Sequence, residues 1–314
     1  MNAPMEAADR RGASEAFVET AVRIGGDEMP MVGVLTTPLS RDAGSARGWG
    51  AVIVSGGAQN RVGSHRQFTL LARDLAAAGV CVLRFDLPGM GDSPGPLPHF
   101  DSAGPALDRA VAALRGFAPG VTRTLLWGLC DGATAALFHA DGSAGAIDAV
   151  VAMNPWARTE AGRARAVIGT YYRGRLRSPT FWRDLVSGRI RIRSAVRGGM
   201  TQILSMGRGG GSRKGLESDQ ASLPSRLATV LDRATFDVLV LIGEDDLTGS
   251  EFDREVGRLG GLVARRVEVR RRPGADHGFS APDDRRFSIE ETLAVLGCDT
   301  SAKNEAEPKV DSHV

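Results

Sequence analysis

Short runs of Val, Ile, Leu and Ala recur along the chain, separated by stretches in which apolar residues return every three or four positions. The short runs read as strands buried on both faces, and the longer stretches as helices with one apolar side. Eight strands are predicted: Phe17–Ile24, Met31–Thr36, Ala51–Ser55, Val80–Phe85, Arg123–Trp127, Ala149–Met153, Val238–Ile242 and Ala264–Arg270. Phe68, Leu71, Leu75 and Ala78 form one helical stripe, with Ser64 and Gln67 as a capping box ahead of it. Leu107, Ala110, Val111, Leu114 and Phe117 form a second. Phe252, Val256 and Leu259 form a third with Ser250 as its N-cap, and Ile289, Leu293 and Leu296 form a fourth.

Strands alternating with helices predict an α/β fold, a mainly parallel eight-stranded sheet with helices on both faces. The first two strands have no helix between them and are expected to pair as an antiparallel hairpin at one edge. The alternation stops over 156–235, which reads as a helical lid inserted into a core formed by 15–155 and 236–298. Residues 157–235 carry fifteen Arg and one Lys against five acidic side chains, a balance of +11 that leaves −9 on the rest. This segment also holds Tyr171, Tyr172, Trp182 and a Gly-rich run over 207–212. Residues 1–14 and 299–314 lack periodicity and are expected to be disordered.

Composition narrows the function classes. The chain has 314 residues with 39 basic and 37 acidic side chains, a net charge of +2. That near-balance argues against a general nucleic-acid binder, whose phosphate contacts need a basic surplus. No apolar run is long enough to span a bilayer, and the first residues lack the basic and apolar regions of a secretion signal. Three cysteines without a CxxC pair point away from a disulfide framework or a structural zinc site. The expected location is cytoplasmic, where a free cysteine can act as a nucleophile. The basic segment reads either as a solvated face or as an attractor for an anionic substrate, an acidic carrier or a membrane surface.

One motif carries chemistry. Gly128-Leu129-Cys130-Asp131-Gly132 lies between a predicted strand and a predicted helix. It is the cysteine form of the G-x-S-x-G nucleophile elbow. The nucleophile of an elbow sits on a strained turn, and glycines two residues to either side relieve crowding against the adjacent strand and helix. The helix N-terminus behind it favours a thiolate. An acidic turn, Glu244-Asp245-Asp246, follows the seventh strand, and Asp276-His277-Gly278 follows the eighth. Nucleophile, acid and histidine thus come in the chain order of this architecture. Cys130 is the candidate nucleophile, His277 its base and Asp246 the orienting acid, with Asp245 as the alternative. The oxyanion hole needs two backbone N–H groups. Asp131 is the candidate for one, and Gly57, or else Ala58, for the other. Arg61, His65 and Arg66 stand near that loop as candidate substrate contacts. Cys81, Cys298, His99 and His139 have no expected chemical role.

These features resemble the α/β-hydrolase superfamily over nearly the whole chain. More narrowly, the Gly56–Phe68 loop, the Trp127–Asp131 elbow, Asn154-Pro155-Trp156 and Tyr171-Tyr172 resemble the type 1 exosortase A system-associated hydrolases. That resemblance implies a hydrolase fold and a setting beside exopolysaccharide synthesis and PEP-CTERM protein sorting in Gram-negative bacteria. It supplies no substrate. The expected activity is cleavage of an ester or thioester through an acyl-enzyme. Acyl transfer to a sugar hydroxyl and a non-catalytic scaffold of the export system are the alternatives. The expected partner is a small-molecule or lipid-linked acyl substrate, possible anionic character included, with peripheral membrane contact open. No metal or organic cofactor is indicated, and the oligomeric state is left open.

Overall fold

A computed structural model of the chain describes residues 16–26, 29–39, 46, 48–57, 59–157 and 221–298. Eight strands form one sheet: β1 (Phe17–Ile24), β2 (Met31–Pro38), β3 (Trp49–Val54), β4 (Cys81–Phe85), β5 (Arg123–Leu129), β6 (Ala149–Met153), β7 (Asp237–Gly243) and β8 (Val267–Arg272). Their order is β1-β2-β4-β3-β5-β6-β7-β8. β1 and β2 pair antiparallel, β2 also runs antiparallel to β4, and all later pairs are parallel. The pattern follows from the side chains. β3 and β6 are buried at every position, whereas edge strand β1 alternates and edge strand β8 carries Arg270, Arg271 and Arg272. Those charges keep an exposed edge from pairing with other chains.

The described helices are α1 (Gln67–Ala77), α2 (Gly104–Phe117), α3 (Asp131–Gly142), α4 (Leu223–Asp232), α5 (Leu247–Gly257) and α6 (Pro282–Val295). Phe68, Leu71 and Leu75 of α1 and Ile289 and Leu293 of α6 share one core cluster with Ala51, Ile53, Leu125 and Trp127 of the sheet. Trp127 anchors this side. Its ring meets Phe68 edge-on at 5.9 Å, and its Nε1–H donates to Thr292 Oγ1 at 3.2 Å. The opposite face packs on α2: a Cβ on Gly50 would lie 2.9 Å from Leu114 Cδ2.

Several local expectations are corrected. Ser64 and Gln67 form no capping box. Ser64 starts a short 3₁₀ turn, and the left-handed His65 and Arg66 (φ 51° and 61°) separate it from α1. Ser64 Oγ instead accepts from Gln59 Nε2 at 3.4 Å. Ser250 does not cap α5, which starts earlier, with Asp246 Oδ2 accepting from Gly249 N–H at 2.7 Å. α5 ends at Gly257, so Leu259 falls outside it and is 53% exposed; Phe117, at the last turn of α2, is 46% exposed.

The expected tails and most of the expected lid, including Tyr171, Tyr172, Trp182 and the 207–212 run, lie outside the described residues, as does Ala58. Near the end of that segment α4 buries Leu227, Val230 and Leu231. No helix among the described residues is long and apolar enough to cross a membrane.

Candidate active site

The parallel strands place the candidate groups at their carboxyl ends, along one side of the sheet. Gly56 follows β3, Cys130 follows β5, Asp246 follows β7 and His277 follows β8. Loops at the carboxyl ends of parallel strands are where open α/β sheets bind ligands.

Cys130 sits at the N-cap of α3 with φ 59° and ψ −125°. A side chain rarely adopts that conformation, and the surrounding contacts show what holds it. Its N–H donates to Met153 O at 3.0 Å, and its carbonyl accepts from Trp156 N–H at 3.1 Å and Thr134 N–H at 3.2 Å. Thr134 Oγ1 ties the same turn to Trp156 O at 2.8 Å. The flanking glycines are needed for space. A Cβ on Gly128 would lie 2.6 Å from Ala133 N and Cα, and one on Gly132 would lie 2.5 Å from Val54 O. Gly56 is equally confined, its Cβ site being 2.5 Å from Leu129 O. The β3 loop therefore runs directly over the elbow.

His277 lies between Cys130 and Asp246. Its Nδ1 is 3.1 Å from Asp246 Oδ1, which leaves Nε2 for the thiol. Hydrogen bonds to Asp246 and to Cys130 outweigh the cost of burial and push the imidazole up to about 10. The ring therefore carries its proton through the neutral range. Asp246 is 8% exposed and fixed by its cap bond to Gly249, whereas Asp245 is exposed. The geometry thus brings Asp246, not Asp245, to the imidazole.

Asp131 supplies the first N–H of α3, one of the helix-start donors that have no acceptor within the helix. Gly57 is left-handed, φ 55°, and its Cβ site is 3.8 Å from Asp131 Oδ1. The two expected oxyanion positions therefore adjoin each other beside the elbow. Arg61, expected as a substrate contact, is committed elsewhere. Its backbone N–H donates to Asp86 Oδ1 at 2.6 Å, and its guanidinium pairs with Asp86 and with Asp92, the latter at 2.6 Å. His65 and Arg66 are exposed.

Sequence reasoning missed Asp276. Its Oδ1 accepts from Gly278 N–H at 3.1 Å and Ser280 N–H at 2.8 Å, which shapes the turn presenting His277. Burial works against its ionisation, but the Ser280 and Gly278 bonds and the charge of His277 hold the carboxyl below the usual aspartate range. The signal was present as an Asp two residues before a Gly, an Asx-turn pattern. Cys81 and Cys298 are not disulfide-bonded, and each is partly buried.

An elbow between strand and helix, on a sheet of this order, defines the α/β-hydrolase fold. The chain belongs to the alpha/beta hydrolase family, whose sequence model matches residues 51–288. Its fold is similar to that of an esterase from Pyrococcus furiosus, with 16% identity, coverage of 94% of this chain and 96% of that one, and a TM-score of 0.58. It is also similar to a dienelactone hydrolase from Anabaena variabilis (15%, 89% and 96%, 0.53). A third similar structure is an α/β serine hydrolase without lid from Xanthomonas campestris (17%, 88% and 94%, 0.53). No functionally curated protein matches the chain in sequence.

Proposed function

We propose that the protein is a cysteine-dependent hydrolase of esters or thioesters. The observation that carries this reading is one hydrogen-bonded series, Cys130 to His277 to Asp246, centred on a strained strand-to-helix elbow. The raised imidazole supports a His277 that carries its proton at neutral pH beside Cys130, ready to give it to a leaving group.

In the first half-reaction the Cys130 sulfur attacks the acyl carbon and a C–S bond forms. The carbonyl oxygen takes up negative charge facing the N–H groups of Asp131 and Gly57. The tetrahedral species collapses, the acyl C–O or C–S bond breaks, and His277 gives its proton to the departing alcohol or thiol. In the second half-reaction water loses a proton to His277 and adds to the thioester. The C–S bond breaks and the carboxylic acid leaves, restoring the thiolate and the imidazolium. Thiolate leaves readily, so activated esters, lactones and thioesters suit this site better than amides.

The substrate class is an acyl compound, small or lipid-linked. The +11 balance of residues 157–235 supports an anionic one. The motif resemblance supports a setting beside exopolysaccharide synthesis. Turnover of a panel of p-nitrophenyl esters and acyl thioesters tests the reading, with Cys130→Ala and His277→Ala in parallel. Loss of turnover in both variants with the fold retained supports it. Turnover retained in Cys130→Ala rejects it. Adding sugars to the same assays separates hydrolysis, with free acid as the product, from transfer, with an acylated acceptor.

A further inference from the structure

Asn154, the first residue after β6, is fully buried and left-handed, with φ 42°. Asparagine is among the few residues that tolerate this conformation. Both ends of its side-chain amide are engaged. Oδ1 accepts from Gly243 N–H at 2.8 Å, at the end of β7, and Nδ2 donates to the His277 carbonyl at 2.9 Å. Turning the amide over would place each atom against its own kind, so the partners themselves fix its orientation. Its backbone N–H donates to Leu241 O at 2.8 Å. A Cβ on Gly249 would lie 2.2 Å from Asn154 Oδ1 and 3.4 Å from Asp246 Oδ2. The same amide therefore packs against the turn that Asp246 caps while it holds the residue that Asp246 faces.

We propose that Asn154 is a positioning residue: its amide holds the His277 backbone in register with Asp246 and Cys130. The inference rests on the proposed reading of the triad, but the geometry is its own. The strand ends of β6 and β7 are fixed by the sheet, whereas the His277 loop projects from edge strand β8. One buried amide, anchored at Gly243, carries the rigidity of the central strands out to that loop. A residue acting this way sets how well the imidazole meets its partners without touching a substrate.

The test is titration of the His277 ring by nitrogen-15 NMR in the full chain, together with kcat and KM against pH. The titratable groups facing the ring are Asp246 from the β7 loop, Cys130 from the elbow and Asp276 on its own loop. Two variants are compared. Asn154→Ala removes the amide and keeps the backbone strain, while Asn154→Gly removes the amide and relieves the strain. In both, the His277 midpoint should fall from about 10 by about one unit or more, because the Asp246 bond is loosened. kcat should fall by roughly 10- to 100-fold, with KM within about twofold. A role confined to folding predicts lower thermal stability, chiefly in Asn154→Ala, with the midpoint unmoved in both variants. That result would overturn the proposal. The NMR readout needs no substrate, so it stands even if Cys130 proves inactive and the hydrolase reading fails.

Discussion

Cys130, His277 and Asp246 meet only because three strands, β5, β8 and β7, end on the same side of the sheet. Their charge state is the property most open to measurement. An imidazole raised to about 10 keeps its proton from acid through neutral pH and loses it as pH rises through that value. For a thiolate–imidazolium pair, kcat/KM should therefore hold to about pH 9 and fall on a basic limb near 10. A conventional histidine base would show an acid limb near 6.5 instead. Asp246→Asn removes the largest contribution to the raised value. The basic limb should then move down, and kcat/KM should drop by roughly 10²- to 10⁴-fold in the same pH series. Cys130 and His277 were legible as candidates, because the elbow and the post-strand histidine have local patterns. The choice between Asp245 and Asp246 was not, because it depends on which carboxylate turns inward to cap α5.

At the scale of elements, the elbow depends on absent side chains. Gly128→Ala places a methyl group 2.6 Å from the backbone of Ala133, and Gly132→Ala places one 2.5 Å from Val54 O. Neither contact involves a flexible tip, so strand or helix must move. Each substitution should cost about 1–3 kcal/mol or more in denaturant unfolding. Gly57→Ala meets no such obstacle, its nearest neighbour being 3.8 Å away. Its cost should be only the left-handed backbone, roughly 1–2 kcal/mol. The inner strands were legible to within two residues at each end, since burial on both faces leaves an unbroken apolar run, whereas edge strand β8 starts at Val267, three residues later than the expected Ala264. Helix starts were less so. α5 begins with Leu247-Thr248-Gly249-Ser250, which has no apolar period, and its cap is also the candidate triad acid. The stripe through Leu259 misled because the helix stops at Gly257 and the leucine faces solvent.

At the scale of the molecule, the β3 loop that carries Gly57 is held from its far side by Arg61. Asp86 is wholly buried and receives the Arg61 backbone N–H, the guanidinium and the Asp92 N–H. Arg84 extends the network, donating to Arg61 O at 3.4 Å and to Glu19 Oε1 at 2.8 Å on β1. Arg61→Met leaves the Asp86 carboxylate buried without its cation and should cost about 3–5 kcal/mol in the same unfolding measurement. This network could not be read from the chain, because the pairs are 25 and 31 residues apart and arginines are abundant throughout. The mainly parallel sheet and its antiparallel edge hairpin, by contrast, followed from the alternation of strands and helices and from the helix-free first two strands. The Asn154 amide shows the same limit: its partners lie 89 and 123 residues away, and nothing local marks them.

The central claim is that Cys130 forms a covalent acyl intermediate. The most direct measurement is intact-protein mass spectrometry after brief exposure to activated esters and acyl thioesters, followed by peptide mapping, on the wild-type chain and Cys130→Ala. The account predicts one acyl group added to the wild type, located on Cys130, that decays as free acid appears, with no adduct and no turnover in Cys130→Ala. An adduct on another residue, or turnover undiminished in Cys130→Ala, would contradict it.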